Sequence, residues 1–274
     1  MVATFVVVPQ WQGSGSSRAM RLVDGAEAIR GDLPSSSTRT IEIPLEAGDG
    51  QGTAVHRLSS IALVRDRLAA DLATIDGPVI TIGGDCGVEL AAIEHVAGDD
   101  VAVIWLDAHP DLNTPESSPS GAFTGMVLRT LLGEGPAQLV PGTPLRPSRV
   151  ILAGARSFDP GEDEYIAAHR VVTIGADEVS GQSLVDAVVA SGAASVYVHI
   201  DLDVLDPEDI QGLGYPEPFG VRSADLVNAL KALVARFPLA GAGITEFAPA
   251  SPRDAVEDMP TILRLVGALA SAAG

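Results

Sequence analysis

Basic residues are scarce in this chain: 17 Lys and Arg stand against 36 Asp and Glu, a formal net charge of −19 over 274 residues. Nucleic-acid and anionic-membrane binders need a basic footprint, so both partner classes are excluded. An acidic surface serves solubility and also permits a cationic substrate. Cysteine is nearly absent. The single Cys86 rules out an internal disulfide framework and leaves a buried apolar filler or a functional thiolate. Aromatics make up only 4% of residues, so a core must be built from Ala, Val, Leu and Ile, for which the 46% apolar content suffices. No run of 18 apolar residues occurs, and no basic segment leading into an apolar stretch and cleavage site opens the sequence. A soluble, cytoplasmic protein is expected. Repeats and linkers are also missing, so residues 1–274 read as one domain.

Eight strand-like runs are present, near Ala3–Val8, Arg39–Ile43, Val79–Ile82, Val101–Leu106, Arg149–Ala153, Val171–Ile174, Val196–Leu202 and Gly241–Phe247. Helical patterns lie between most of them. Gly52–Ile75 repeats Leu58, Ile61, Val64, Leu68 and Leu72 near helical spacing; Ser223–Phe237 starts with a cap-like Ser-Ala-Asp; Asp254–Ala273 follows the last strand. Alternating strands and helices predict an α/β fold with a mainly parallel sheet covered on both faces. Ligands of such sheets bind beyond the carboxyl ends of the strands.

The acids gather there. Asp107, His109 and Asp111 follow the run Val101–Leu106, and alternate residues of a strand point the same way, so they are expected to converge. Asp201 and Asp203 end the run starting at Val196. Capping the next helix would explain one such Asp but not this set. Four acids and a histidine make an oxygen-rich site for divalent metal, which implies hydrolysis by metal-activated water. Cys86, in Gly83-Gly84-Asp85-Cys86, ends a third strand that can lie beside these two. Glu246 ends the eighth and can face a cationic head or cap the surface. His199 lies deeper in its strand and reads as a core or supporting residue. His56, His95 and His169 read as surface residues in helical surroundings.

The motifs GGD, DAHPDLNTPESSPSG, SFDPGE, DLDVLDP and EFAP, in that order, resemble the ureohydrolase family of arginases and agmatinases over nearly the whole chain. The resemblance implies a three-layer α/β/α fold with an eight-stranded sheet. It also implies two Mn²⁺ per chain with a hydroxide between them that attacks a guanidinium carbon. Carried over by position, Asp107 and Asp201 resemble the bridging carboxylates. Asp111 and Cys86 resemble ligands of one ion, and His109 and Asp203 ligands of the other. Glu246 matches the acid that orients the guanidinium, and Asp203 can also carry a proton to the leaving amine. Asn113, Ser120, Asp159 and Glu162 match positions holding the amino-acid end of arginine, which implies a guanidino α-amino acid rather than a decarboxylated amine.

Two positions depart from the family. Cys86 stands where the family has a metal-binding histidine. In Ser120-Gly-Ala-Phe-Thr-Gly125, Ala122 and Thr124 replace the asparagine and histidine of the family's SGNxHG loop, and threonine cannot shuttle protons near neutral pH. Four carboxylates and a thiolate sum to −5 against +4 from two divalent ions, so bound water should be less acidic than with histidine. Sulfur softens one position toward Zn²⁺ or Fe²⁺, while the hard oxygens elsewhere favour Mn²⁺. A weaker site suits an N-hydroxyguanidine, whose own hydroxyl can relay a proton. The combination resembles the branch of the family that cleaves Nω-hydroxy-L-arginine to L-ornithine and hydroxyurea in D-cycloserine biosynthesis. An ordinary arginase or other amidinohydrolase, and an inactive binding protein of the same fold, remain the alternatives. The absence of an extended tail after Ser271 predicts a monomer, with a trimer left open.

Overall fold

The structure, a computed structural model, describes residues 3–271. Eight strands form one sheet in the order β2-β1-β3-β8-β7-β4-β5-β6. They are β1 (Thr4–Val8), β2 (Thr38–Thr40), β3 (Val79–Gly83), β4 (Val101–Leu106), β5 (Val150–Ala153), β6 (Val172–Ile174), β7 (Ser195–Asp201) and β8 (Leu239–Thr245). Every neighbouring pair is parallel. Each strand-like run of the sequence yields one strand.

The sheet is apolar on both faces because both are covered. On β4, Ala102, Ile104 and Leu106 join a core with α1 (Arg21–Asp32), α6 (Gly181–Ser191), α7 (Ser223–Arg236) and α8 (Pro252–Ala270). Val101, Val103 and Trp105 point the other way, into a core with α2 (Leu58–Leu72), α3 (Glu89–Val96), α4 (Val127–Leu131) and α5 (Pro160–His169). The same alternation on β7 sends Val196, Val198 and Ile200 to the first core and Tyr197 to the second. The three-layer α/β/α arrangement expected from the sequence is therefore present.

Several boundaries differ from expectation, for local reasons. β2 stops at Thr40: Ile41 still donates to Val7 at 2.8 Å, and the edge strand then peels away toward Pro44. The helix expected from Gly52 begins only at Leu58, because Gln51 and Arg57 have φ of 49° and 56°, which no right-handed helix accommodates. His56 consequently lies in an exposed loop rather than a helix. β8 runs two residues earlier than expected, since Glu246 takes φ 64° and ends it. Ser223 is the first helical residue of α7, not its cap; Asp209 accepts from its backbone N–H at 2.6 Å. The expected end of the last helix at Ala273 lies outside the described residues. Among the described residues no helix is long and apolar enough to cross a membrane.

Candidate metal centre

Four segments build the site, each leaving the carboxyl end of a strand. After β3, the chain turns at Gly84, where any Cβ would strike the Gln10 carbonyl. The Asp85 carboxylate accepts from Gln10 Nε2 at 2.7 Å and from the backbone N–H of Gly13 and Gly87, both at 2.8 Å. It thereby binds the loop after β1 to the loop after β3. Burial pushes Asp85 up to about 6 against the pull of those donors. Cys86 comes next, fully buried, with Sγ 3.3 Å from Asp201 Oδ2, 3.3 Å from Thr245 Oγ1 and 3.9 Å from His199 Nε2. Burial first, and then the surrounding carboxylates, raise its thiol well above the ordinary range.

The second segment corrects one inference from sequence. β4 ends at Leu106, so Asp107, His109 and Asp111 converge through a loop and not through strand alternation. Asp107 Oδ2 accepts from Trp105 Nε1 at 3.1 Å, and Oδ1 from the His109 backbone at 2.6 Å. Asp111 has φ 53°, and its Oδ2 is buried with no hydrogen-bond partner. In the third segment Asp201 closes β7 and Asp203 sits in a 3-10 turn at Leu202–Val204. Asp201 Oδ1 accepts from the Asp203 N–H at 2.9 Å, and Asp203 Oδ1 from the Ala108 N–H at 3.0 Å. His109 Nδ1 lies 3.0 Å from Asp203 Oδ2 and 3.5 Å from Asp107 Oδ1.

The fourth segment is Glu246. Its N–H donates to Gly84 O at 2.7 Å, which stitches the end of β8 to the end of β3. Its Oε1 accepts from Thr124 Oγ1 at 2.8 Å and from the Cys86 N–H at 3.3 Å. Burial, aided by Asp85, pushes Glu246 up to about 8.

Ligand-type atoms fall into compact groups: Cys86 with Asp201 and Glu246, Asp107 with His109 and Asp203, and Cys86 with Asp107 and His199. Asp111, grouped with Cys86 from sequence, belongs to none of these triads, though its free oxygen is buried beside them. Burial and mutual repulsion raise Asp111, Asp201 and Asp203, whereas His109 and His199 overcome burial to hold Asp107 below the usual carboxylate range. Packing so many buried carboxylates together, one with an orphaned oxygen, is costly without cations. The donor set therefore fits divalent metal.

Above these groups opens a cleft of about 220 Å³. His109, Asp111, Asp201, Asp203 and Glu246 line it, together with Asn113, Ser120, Asp159 and Glu162. Cys86 and Asp107, both buried, are not part of its lining. Asn113 Nδ2 donates to Asp159 Oδ2 at 2.8 Å. Glu162 accepts from the Asp159 and Leu112 N–H groups, both at 2.9 Å, and so closes a capping box at the start of α5 while facing the cleft. Burial lifts Glu162 to about 7. His95 and His169 are exposed, as expected.

Sequence reasoning missed three features. Thr124, read only as a lost histidine, is the hydroxyl partner of Glu246. Tyr215 lines the cleft from the loop after β7. Glu89, buried completely, receives the Tyr197 hydroxyl at 2.6 Å and faces His199 Nδ1 at 3.3 Å. The available signal was an acid in the otherwise apolar run Glu89-Leu-Ala-Ala-Ile93. The Glu89 carboxylate fills the space where a Cβ at Gly243 would sit. Gly243→Ala should therefore destabilise the fold by about 1–3 kcal/mol through overpacking, seen as a lower Tm in thermal melts; an unchanged Tm would mean that Glu89 is free to move aside.

The arginase family profile matches residues 23–263. The chain is similar to an arginase of Entamoeba histolytica, 31% identical over 268 residues and 90% of each chain. It is also similar to an N(omega)-hydroxy-L-arginine amidinohydrolase of Streptomyces lavendulae, 30% identical over 259 residues, 93% of this chain and 90% of that one. The crystal structure of E. histolytica arginase in complex with L-ornithine superposes with a TM-score of 0.86 at 25% identity over 97% of each chain. The chain belongs to the arginase family of hydrolases.

Proposed function

We propose that the protein hydrolyses the guanidino C–N bond of Nω-hydroxy-L-arginine, yielding L-ornithine and hydroxyurea. The observation that carries this reading is the Thr124 hydroxyl donating to Glu246 at 2.8 Å, where the family resemblance implies a proton-shuttling histidine. The hydroxyl fixes the carboxylate but moves no proton, so a substrate bringing its own titratable N–OH is favoured over a plain guanidine. The similarity to the S. lavendulae enzyme supports the same substrate. The expected place in D-cycloserine biosynthesis rests on that substrate and fails with it.

Cys86, Asp107, His109, Asp111, Asp201 and Asp203 would hold two divalent ions, Mn²⁺ in this reading, which when bound supply an activated water. Glu246, held by Thr124 and the Cys86 N–H, orients the guanidine-type head over the floor. Asp203, fixed by the Ala108 N–H and His109, receives the proton of the attacking water and passes it to Nδ as the C–Nδ bond breaks. Asn113, Ser120, Asp159 and Glu162 hold the amino-acid end and set the distance to the floor.

The second reading is an arginase, favoured by the similarity to the E. histolytica enzyme. Ornithine release from Nω-hydroxy-L-arginine and from L-arginine, measured side by side on metal-loaded protein, separates the two. Release mainly from the hydroxylated substrate is expected; efficient release from arginine makes the protein an arginase. Thr124→His should narrow the preference for hydroxyarginine, and an unchanged preference would exclude the missing shuttle as its cause. Thr124→Val should lower kcat/KM roughly 10- to 100-fold, since losing a hydrogen bond to a charged group costs about 1.5–3 kcal/mol when not replaced. A protein binding no metal and releasing nothing would instead be a binding protein on this fold.

A further inference from the structure

Beneath the cleft floor, Glu89, Tyr197 and His199 form a buried polar chain that the proposed hydrolysis does not use. His199 lies on β7, paired with Trp105 on β4 and Gly243 on β8. Its ring stacks on Trp105 with centroids 3.7 Å apart. Nδ1 faces Glu89 Oε1 at 3.3 Å, and Glu89 is itself fixed by Tyr197. Nε2 faces the gap between Cys86 Sγ at 3.9 Å and Asp107 Oδ2 at 3.8 Å. We propose that His199 Nε2 is a metal ligand, completing with Cys86 Sγ and Asp107 an inner sulfur-nitrogen-oxygen site that prefers a borderline-soft ion such as Zn²⁺. The assignment rests on the reading that Cys86 and Asp107 hold metal.

Spacing and chemistry agree. A tetrahedral ion about 2.3 Å from sulfur and about 2.0 Å from nitrogen separates the two by roughly 3.5 Å, so the observed gap needs only a few tenths of an ångström of closure. A metal-binding imidazole directs its other N–H to a carboxylate, which fixes the tautomer and raises basicity. Glu89 Oε1 lies 3.3 Å from Nδ1, both atoms are buried with no other hydrogen-bond partner, and the carboxylate fits only because position 243 has no Cβ. Thiolate and imidazole are ligands that favour Zn²⁺ over the hard ions preferred by carboxylates alone. Cys86, His199 and Asp107 are almost fully excluded from water, and three protein ligands leave a fourth tetrahedral position open for the water that the proposed hydrolysis uses. On binding, the ion replaces the proton of the Cys86 thiol and any proton on His199 Nε2, and both leave to solvent.

The test uses the full chain labelled with ¹⁵N-histidine and titrated with Zn²⁺. The His199 Nε2 resonance, assigned by its loss in His199→Ala, should shift to that of a metal-bound nitrogen while Nδ1 keeps its proton. In calorimetric titrations His199→Ala should lose more than about 100-fold in Zn²⁺ affinity, beyond the 10–100-fold that an outer partner costs, with Mn²⁺ affinity much less affected. An Nε2 that keeps its proton at Zn²⁺ saturation, or equal losses for both ions, would overturn the assignment. If His199→Ala does not fold, Glu89→Gln serves: it should lower Zn²⁺ affinity roughly 10–100-fold, and no change would also overturn it. Cys86→Ser and Asp107→Asn separate this idea from the metal-centre reading. If both leave metal binding intact, the centre itself is misassigned; if they abolish it while His199 stays protonated, only the role of His199 falls.

Discussion

Asp201→Asn should cut ornithine release from either guanidino substrate by on the order of 10⁴-fold or more and leave less than two equivalents of metal bound. The substitution is nearly isosteric. Its Oδ1 can still accept from the Asp203 N–H, so the turn after β7 should survive and the fold with it. What disappears is a carboxylate whose Oδ2 lies 3.3 Å from Cys86 Sγ. Ions acting as Lewis acids contribute several kcal/mol to transition-state stabilisation, and each 1.36 kcal/mol is tenfold in rate, which sets the expected size. Elemental analysis of the purified variant, with turnover at saturating substrate, checks it. A variant with its full complement of metal and more than a tenth of the activity would remove Asp201 from the centre.

The second large effect is on stability. Protein stripped of metal should become less stable as pH rises from about 5 to 9, and added metal should reverse the trend. Burial and Asp85 raise Glu246 from 4.5 to about 8. Its contribution is complete below about 4.5 and is lost as pH passes through 8. Burial opposes charge on His199, but the facing Asp107 and Glu89 carboxylates outweigh it and lift the group from 6.5 to about 9. That contribution is present below 6.5 and is lost through 9. Asp111, Asp201 and Asp203, raised by burial and by one another, act in the same direction. Asp107 acts oppositely, because its lowered value adds stability above the ordinary carboxylate range that only acid removes. Divalent ions bind the deprotonated groups, so at an ion concentration of 1,000 times Kd they add about 4 kcal/mol. Melting curves across this window with chelator and with Mn²⁺ decide the matter. A stripped protein whose Tm climbs with pH would mean that the acids are not held as close as the structure places them.

The sheet was legible because β4 and β7 are buried on both faces and so carry unbroken apolar runs, and because the acids break off sharply where those runs end. β2 was less legible: an edge strand of three residues, half exposed, leaves little pattern to read. The site acids were found, but the reason offered for their convergence was wrong for the stretch after β4, where a left-handed Asp111 does the bending that alternation was credited with. Aspartate visits that conformation more readily than most residues, but nothing in the sequence says which aspartate will adopt it. The Thr124–Glu246 contact spans 122 positions and the Glu89–Tyr197 contact 108, and neither neighbour announces the other in sequence. His199 was read as a core or supporting histidine. It is fully buried, but its partners could not be named until β7 was seen beside β8, where Gly243 leaves room for Glu89.

The strand order carries a consequence for biosynthesis. β8 follows every other strand in the chain yet lies between β3 and β7. Before it inserts, β2-β1-β3 and β7-β4-β5-β6 share no edge, Cys86 is separated from Asp201 by an unfilled seam, and Glu246 is not yet in place. A ribosome-bound chain that has not released residues 239–246 thus presents two unpaired parallel edges. Closing them requires pairings across most of the sequence, the slow kind. The candidate ligand cluster is therefore complete only once β8 is in place, and a half-made chain lacks its full donor set.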